Sequence, residues 1–196
     1  MRVVGIDPAA AGMTGYAVVE CAGRGCVPLH FGALRPARNG RGRRGGPNFA
    51  EQLCAVHKLI ERLVTEYGAD AVAIEGVFSA RNVKTALKLS EVRGVVQLAA
   101  AQAGVPSFTY SPREVKSRIT GYGHADKHQV QQMVRALLHL RELPHPADAA
   151  DALAVALCHI QSVEGQARIA AATAPRPLEG QTPSTRARAA RIQFLP

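Results

Sequence analysis

The chain has 196 residues, 47% hydrophobic and 20% charged, a composition that suits one globular domain and excludes the disordered class. It has no Trp and only 5% aromatic residues, so an aromatic-rich recognition surface is not expected, and no apolar run approaches the roughly 18 residues of a membrane span. The net charge of +9 is concentrated: residues 35–47 hold five Arg and no acid, residues 165–196 hold five Arg against one Glu, and the remainder is balanced. An arginine-heavy basic chain points to a polyanionic partner, nucleic acid first, although solvation alone also accounts for charge runs. Asp7 and Pro8 interrupt the opening apolar stretch, so no signal peptide is read and a cytoplasmic location is expected.

Residues 2–7 (Arg-Val-Val-Gly-Ile-Asp) read as a strand, and residues 14–20 as a second one paired with it across a short, small-residue turn. Residues 26–34 supply a third strand. The stretch 35–47, with its Gly, Pro and Arg, is a basic flexible loop containing Arg41, Arg43 and Arg44. A helix follows over 48–67, with Leu53, Val56, Ile60 and Leu63 at helical spacing, then a short apolar strand at 71–75 ending in Glu75.

The next helix, 80–103, is apolar on two opposite faces. Val83, Leu87, Gly94, Leu98 and Ala101 share one, and Leu89, Val92, Val96, Ala99 and Ala103 share the other. One face can rest on the sheet; the other needs a second layer or another subunit. Arg81, Lys84 and Lys88 lie on a flank between them. A strand is expected at 106–110, and Pro112 opens a helix to 120. Asp126 with Gln129 forms a capping-box pattern for a helix to about 140, and a last helix runs from Asp148 to about 162. Beyond 165 no hydrophobic period remains, so the chain divides into a domain over 1–164 and a disordered basic tail over 165–196. Meandering strands followed by alternating helix and strand predict an α/β domain, its central first strand lying beside the strand that ends at Glu75. The four cysteines (Cys21, Cys26, Cys54, Cys158) match no zinc spacing and are expected to be reduced structural thiols.

Four carboxylates stand out by position. Asp7 and Glu75 end neighbouring strands, and Asp148 and Asp151, three residues apart, share one face of the last helix. Sites in open α/β sheets form at the carboxyl ends of strands, so a last helix crossing that edge brings all four acids together. Clustered acids repel and raise one another's pKa values, and a divalent cation relieves the repulsion. Hard oxygen ligands in this number suit Mg²⁺ or Mn²⁺, and two such ions can activate water and steady the leaving oxygen in phosphodiester cleavage. Three of the acids also have a plainer reading, Asp148 as a helix N-cap, Asp151 as a first-turn charge and Glu75 as a solvated strand end, whereas Asp7, directly after Val-Val-Gly-Ile, is poorly placed for an ordinary strand interior. His124 and His145 read as surface loop residues rather than ligands.

Gly-Ile-Asp-Pro at 5–8, Thr-Gly-Tyr at 14–16, Ala-Ile-Glu-Gly-Val-Phe at 73–78, Ala-Leu-Lys-Leu at 86–89 and Arg-Gly-Val at 93–95 form an ordered set. Val-Lys at 115–116, Lys127 with Gln-Val-Gln at 129–131, and Ala-Asp-Ala-Ala-Asp-Ala-Leu-Ala at 147–154 continue it. In order and spacing this set resembles the RuvC family of bacterial Holliday junction resolvases over about residues 2–162. The resemblance implies a ribonuclease H-like fold, a central mixed five-stranded sheet flanked by helices. It implies a homodimer that cuts four-way junction DNA in recombination and repair, leaving 5′-phosphate and 3′-hydroxyl ends, and a branch-migration helicase complex as partner. By the same resemblance Asp7, Glu75, Asp148 and Asp151 hold two catalytic metals, Lys116 and Lys127 lie near the scissile phosphate, and Phe78 meets unpaired bases. Arg81, Lys84, Lys88, Arg113, Arg118, Arg41, Arg43 and Arg44 are the further DNA-contact candidates.

Four features depart from the family pattern: Ala9 replaces a Gly, the turn before Thr14 is one residue longer, Gly76 replaces a polar residue, and the 35–47 loop is longer and more basic. Actin-like ATPases and sugar kinases also open with Gly-Ile-Asp and a hairpin, but they need a second homologous domain. A noncatalytic junction-binding or ribosomal RNA processing protein of the same fold is the third reading, and the complete acidic set weighs against it.

Overall fold

Val3, Val4 and Ile6 have no exposed surface, because the strand that carries them, β1 (Arg2–Asp7), is covered on both faces. The computed structural model describes residues 1–10, 12–23, 25–35, 49–76 and 83–173. After β1 come β2 (Thr14–Ala22), β3 (Gly25–Leu34), α1 (Phe49–Tyr67), β4 (Ala71–Glu75), α2 (Val83–Gln102), β5 (Ser107–Tyr110), α3 (Pro112–Thr120), α4 (Lys127–Leu137) and α5 (Ala147–Thr173). The strands form one mixed sheet in the order β3-β2-β1-β4-β5. β1, β2 and β3 pair antiparallel, and β4 and β5 extend the sheet parallel to β1.

Each strand of the centre sends alternate residues to opposite layers. Val4, Ile6, Val18, Val72 and Ile74 pack on Val56, Ile60 and Leu63 of α1 and on Val92, Val96 and Ala99 of α2. Val3, Ala17, Val19 and Ala73 pack on Val115 and Ile119 of α3, Val130 and Val134 of α4, and Leu153, Leu157 and Ile160 of α5. The expected α/β architecture, with β1 central and beside the strand ending at Glu75, is the one observed. So are the helix opened by Pro112, which the structure shows to be capped by Ser111, and the full Asp126/Gln129 capping box of α4. Among the described residues one face of α2 is covered: Val92, Val96, Ala99 and Ala100 are buried, whereas Val83, Leu87 and Leu98 are 74%, 60% and 53% exposed.

Three expectations are corrected. The last helix does not end near 162 and give way to disorder at 165; it continues to Thr173. Residues 164–173 lack an apolar stripe, but Glu164, Gln166, Ala167, Arg168 and the alanines are strong helix formers, and Glu164 pairs with Arg168 at 3.8 Å. The tail beyond 173 and the loop at 36–48 lie outside the described residues. Helix α4 ends at Leu137, three residues early, where Leu138 caps it and His139 takes a left-handed conformation (φ 52°). The cysteines are not all reduced thiols: Cys21 and Cys26 oppose each other across the β2–β3 ladder and are joined as a disulfide, while Cys54 and Cys158 are free. A spacing of five residues conceals this pair until the hairpin register brings the two together. Among the described residues no helix is long and apolar enough to cross a membrane.

Candidate active site

Asp7 is the last residue of β1 and Glu75 the last of β4. The two strands are parallel neighbours with Ile6 opposite Ile74, so the next step along the ladder sets the two carboxylates side by side. The turn after Asp7 is held from two sides. Thr14, 1% exposed, accepts the Ala9 N–H at 3.3 Å, and the buried side chain of Gln52 on α1 donates to the Ala9 carbonyl at 2.9 Å.

The second pair of acids arrives on α5. This helix lies unusually close to the sheet because glycine faces it from two strands. A Cβ on Gly5 would stand 2.8 Å from the Ala156 nitrogen and 2.9 Å from its Cβ, and would strike the Ala152 carbonyl. A Cβ on Gly15 would stand 2.6 Å from the Asp148 carbonyl carbon and would strike its oxygen. Gly15 is the register partner of Asp7, so the backbone of Asp148 rests on the residue beside Asp7. Asp148 lies inside the first turn of α5 rather than capping it, which sets aside the plainer N-cap reading.

Burial drives the Asp7 carboxyl up to about 9, and the charge of Glu75, a hydrogen bond with it, and the charges of Asp151 and Asp148 push the same way. Glu75 is raised as well, by burial first and by Asp151, while the hydrogen bond from Asp7 and the charges of Lys127 and Lys116 pull it back. Both carboxyls are thus held above the ordinary carboxylate range by burial and by each other. Asp151 instead accepts a 2.7 Å ion pair from the Lys127 ammonium. Burial works against that ammonium, but the hydrogen bond to Asp151 and the charges of Asp151, Asp148 and Asp7 outweigh it and raise its pKa. Glu75, Asp151, Lys116 and Lys127 open onto one recess of about 220 Å³, with Val115 and Val130 in its wall. A larger recess of about 680 Å³ lies far along α5, between Cys26, Leu137, Ile160 and Arg168, and carries none of these groups.

Among the described residues no three acid, His or Cys groups are drawn about a single point. Of the four acids, Asp7 stands beside Glu75, Asp151 is ion-paired with Lys127, and Asp148 sits in the first turn of α5. The donors are carboxylate oxygens alone, which suits a hard divalent cation. Asp7 and Glu75 stand side by side at the ends of neighbouring parallel strands, and the Lys127 ammonium is taken by Asp151, so the oxygen donors of this pair would suit a divalent ion. The residues therefore fit the metal that the sequence reading implied.

The structure brings together Asp7, Glu75, Asp148, Asp151, Lys116 and Lys127. Arg118 pairs with Glu114 at 3.7 Å, the side chain of Arg113 lies under Gly123, and Lys88 sits over the Phe49 ring at 5.4 Å; Lys84 is on the exposed first turn of α2. Phe78, Arg81, Arg41, Arg43 and Arg44 lie outside the described residues. His124 and His145 are exposed loop residues, as expected. Sequence reasoning missed Gly5, Gly15 and Gln52. The small-residue run from Ala147 to Ala156 was a signal for close helix–sheet packing, but nothing along the chain marks Gln52 as reaching Ala9.

The profile of the family described as crossover junction endodeoxyribonuclease RuvC matches residues 3–159. The crossover junction endodeoxyribonuclease RuvC of Desulfitobacterium hafniense (strain DSM 10664 / DCB-2) is 44% identical over 164 residues, 83% of this chain and 94% of that one. The solved structure of Thermus thermophilus RuvC superposes with a TM-score of 0.75 at 33% identity, covering 85% of this chain and 97% of that one. The T. thermophilus RuvC in complex with Holliday junction substrate gives 0.76 at 34% identity, with 85% and 96% covered.

Proposed function

The chain belongs to the RuvC family of crossover junction endodeoxyribonucleases, metal-dependent nucleases that resolve Holliday junctions, and we propose that Asp7, Glu75, Asp148 and Asp151 carry its chemistry by holding two divalent cations, Mg²⁺ or Mn²⁺. The observation that carries this reading is the acid arrangement itself: Asp7 and Glu75 side by side at the ends of parallel neighbours and a lysine-paired Asp151, beside one recess at the carboxyl edge of the sheet. When bound, the cations supply charge neutralisation at the phosphodiester and activation of water for in-line attack.

The chain's own groups do the rest. Lys127, oriented by Asp151, and Lys116 present two ammonium groups on the wall of the recess, where they receive the non-bridging oxygens of the scissile phosphate. The close seat of α5 on Gly5 and Gly15 sets how far Asp148 and Asp151 stand from Asp7, and the side chains of these acids would turn toward the cations from that fixed backbone.

A junction is resolved by two nicks on opposed strands, which calls for two sites related by a two-fold axis. The bare face of α2 supports a homodimer: Val83, Leu87 and Leu98 are exposed, and Gly94 has open space around its Cα. Lys84 and Lys88 then flank the axis on the DNA side. The ATPase and sugar-kinase reading has no support, since the family profile spans residues 3–159 and the D. hafniense relative is matched over 94% of its own length with no second homologous domain.

A synthetic mobile four-way junction, incubated with and without Mg²⁺ or Mn²⁺ and read on a denaturing gel, tests the assignment. Asp7→Asn is expected to cut at least about 10³-fold more slowly, in the range for loss of a key electrostatic group, while still binding the junction. Wild-type cutting by Asp7→Asn overturns it.

A further inference from the structure

The segment 121–126 joins α3 to α4, the helices that bring Lys116 and Lys127 to the recess. It is held at both ends. Thr120 stands one helical turn, about 6 Å of axis, beyond Lys116. Its hydroxyl lies 2.9 Å from the Lys116 carbonyl and 3.1 Å from the Tyr122 carbonyl, to one of which it donates, and it accepts the Tyr122 N–H at 3.2 Å. The Ala125 N–H donates to the Tyr122 carbonyl at 3.1 Å, Ala125 is 1% exposed, and Asp126 caps α4. Both backbone polar groups of Tyr122 are thereby fixed, yet its side chain is 60% exposed, its one ring neighbour being His124 at 5.6 Å. A tightly held backbone carrying a bare aromatic ring adds little to the core and is pre-organised for a ligand.

The surroundings indicate which ligand. Residues 113–127 carry Arg113, Lys116, Arg118 and Lys127 against Glu114 and Asp126; Glu114 faces Arg118, Lys127 is paired with Asp151 and Asp126 caps α4, so the stretch itself is net positive, with Arg113 and Lys116 on the side of α3. The Tyr122 ring also walls an open recess of about 360 Å³ that includes His128, Gln132 and Met133. Flat apolar surface beside amide and imidazole edges, within a positive field, suits a nucleotide better than any uncharged partner. Phosphates recur about every 3.4 Å of axis along a strand, so one held between Lys116 and Lys127 carries its neighbours across this segment.

We propose that Tyr122 is a specificity residue: its ring packs against a nucleotide of the cut strand that flanks the scissile phosphate, with His124 and the adjoining recess completing the subsite. The proposal rests on the junction-nuclease reading above. The test uses full-length protein with Mg²⁺, comparing wild type, Tyr122→Phe and Tyr122→Ala on junctions in which the bases on either side of the cut are varied. Tyr122→Ala is expected to weaken junction binding between about 5- and 100-fold, the span for removing one base–aromatic stack, and to flatten the preference among cut sequences. Tyr122→Phe keeps the ring and should behave as wild type. Thermal melts should coincide for all three. Wild-type affinity and wild-type sequence preference in Tyr122→Ala would overturn the proposal while leaving the junction-nuclease reading intact; wild-type protein that cuts none of the junctions would instead overturn that parent reading.

Discussion

Gly15→Ala tests whether the distance between α5 and the sheet sets the catalytic rate. The added Cβ would stand 2.6 Å from the Asp148 carbonyl carbon and closer to its oxygen, against an ordinary contact of 3.4 Å or more. The first residues of α5 must therefore move out by about 0.8 Å, the difference between those two distances, and further to clear the oxygen. Overpacking of this kind costs about 1–3 kcal/mol of stability. The displacement acts directly on Asp148, and a misplacement near 1 Å at a catalytic group lowers rate on the order of 10²-fold. The expected result is a drop of about that size in single-turnover junction cleavage, junction affinity within a few-fold of wild type, and a lowered but cooperative melt. Gly25→Ala is the control, since nothing stands within 4 Å of a Cβ there. Gly15→Ala cutting at the wild-type rate would show that α5 tolerates the shift and would refute the positional reasoning.

Neutralising the five Arg of 35–47 should flatten the log–log salt dependence of junction binding by about 0.9 for each phosphate that is no longer neutralised, with no change in melting temperature; an unaltered slope means the loop does not touch DNA. Leu98→Glu places a charge on the bare α2 face, and light scattering should then report monomer, with nicked rather than linear product from a cruciform plasmid; unmodified protein that is monomeric on a junction refutes the dimer. His159 is buried with Nδ1 2.7 Å from the Tyr110 hydroxyl, and burial lowers its pKa below 6.5. Its unfolded form takes up a proton first, so this group's contribution to stability should fall as pH drops below 6.5, by up to about 1.4 kcal/mol per pH unit. Urea midpoints of wild type and His159→Phe across pH 5–8 should diverge only at the acid end, and parallel curves would remove His159 as the cause.

Much of the architecture is legible along the chain because its signals are local. The Val-Val-Gly-Ile run announces a strand buried on both faces, Ser111-Pro112 and Asp126 with Gln129 mark helix starts, and an acid at the end of each of two strands marks the carboxyl edge of the sheet. These depend on residue type and spacing over a few positions. The double apolar character of the 80–103 segment likewise called for a second layer or another subunit, and Val83, Leu87 and Leu98 of that face are not covered by the other described residues. Other features depend on contacts between distant segments. Gly5 and Gly15 are unremarkable strand residues until Ala152, Ala156 and the Asp148 backbone are laid on them. Gln52 acts 43 residues away, on Ala9, and the Cys21–Cys26 pair exists only through hairpin register. The raised pKa values of Asp7 and Glu75 have the same origin, because burial and mutual repulsion follow from the parallel pairing of β1 with β4 and from α5 closing over both. Residue types determined which groups could do the chemistry; packing between remote segments determined their separation and charge state, since close approach and desolvation are properties of the folded arrangement and not of any short stretch of chain.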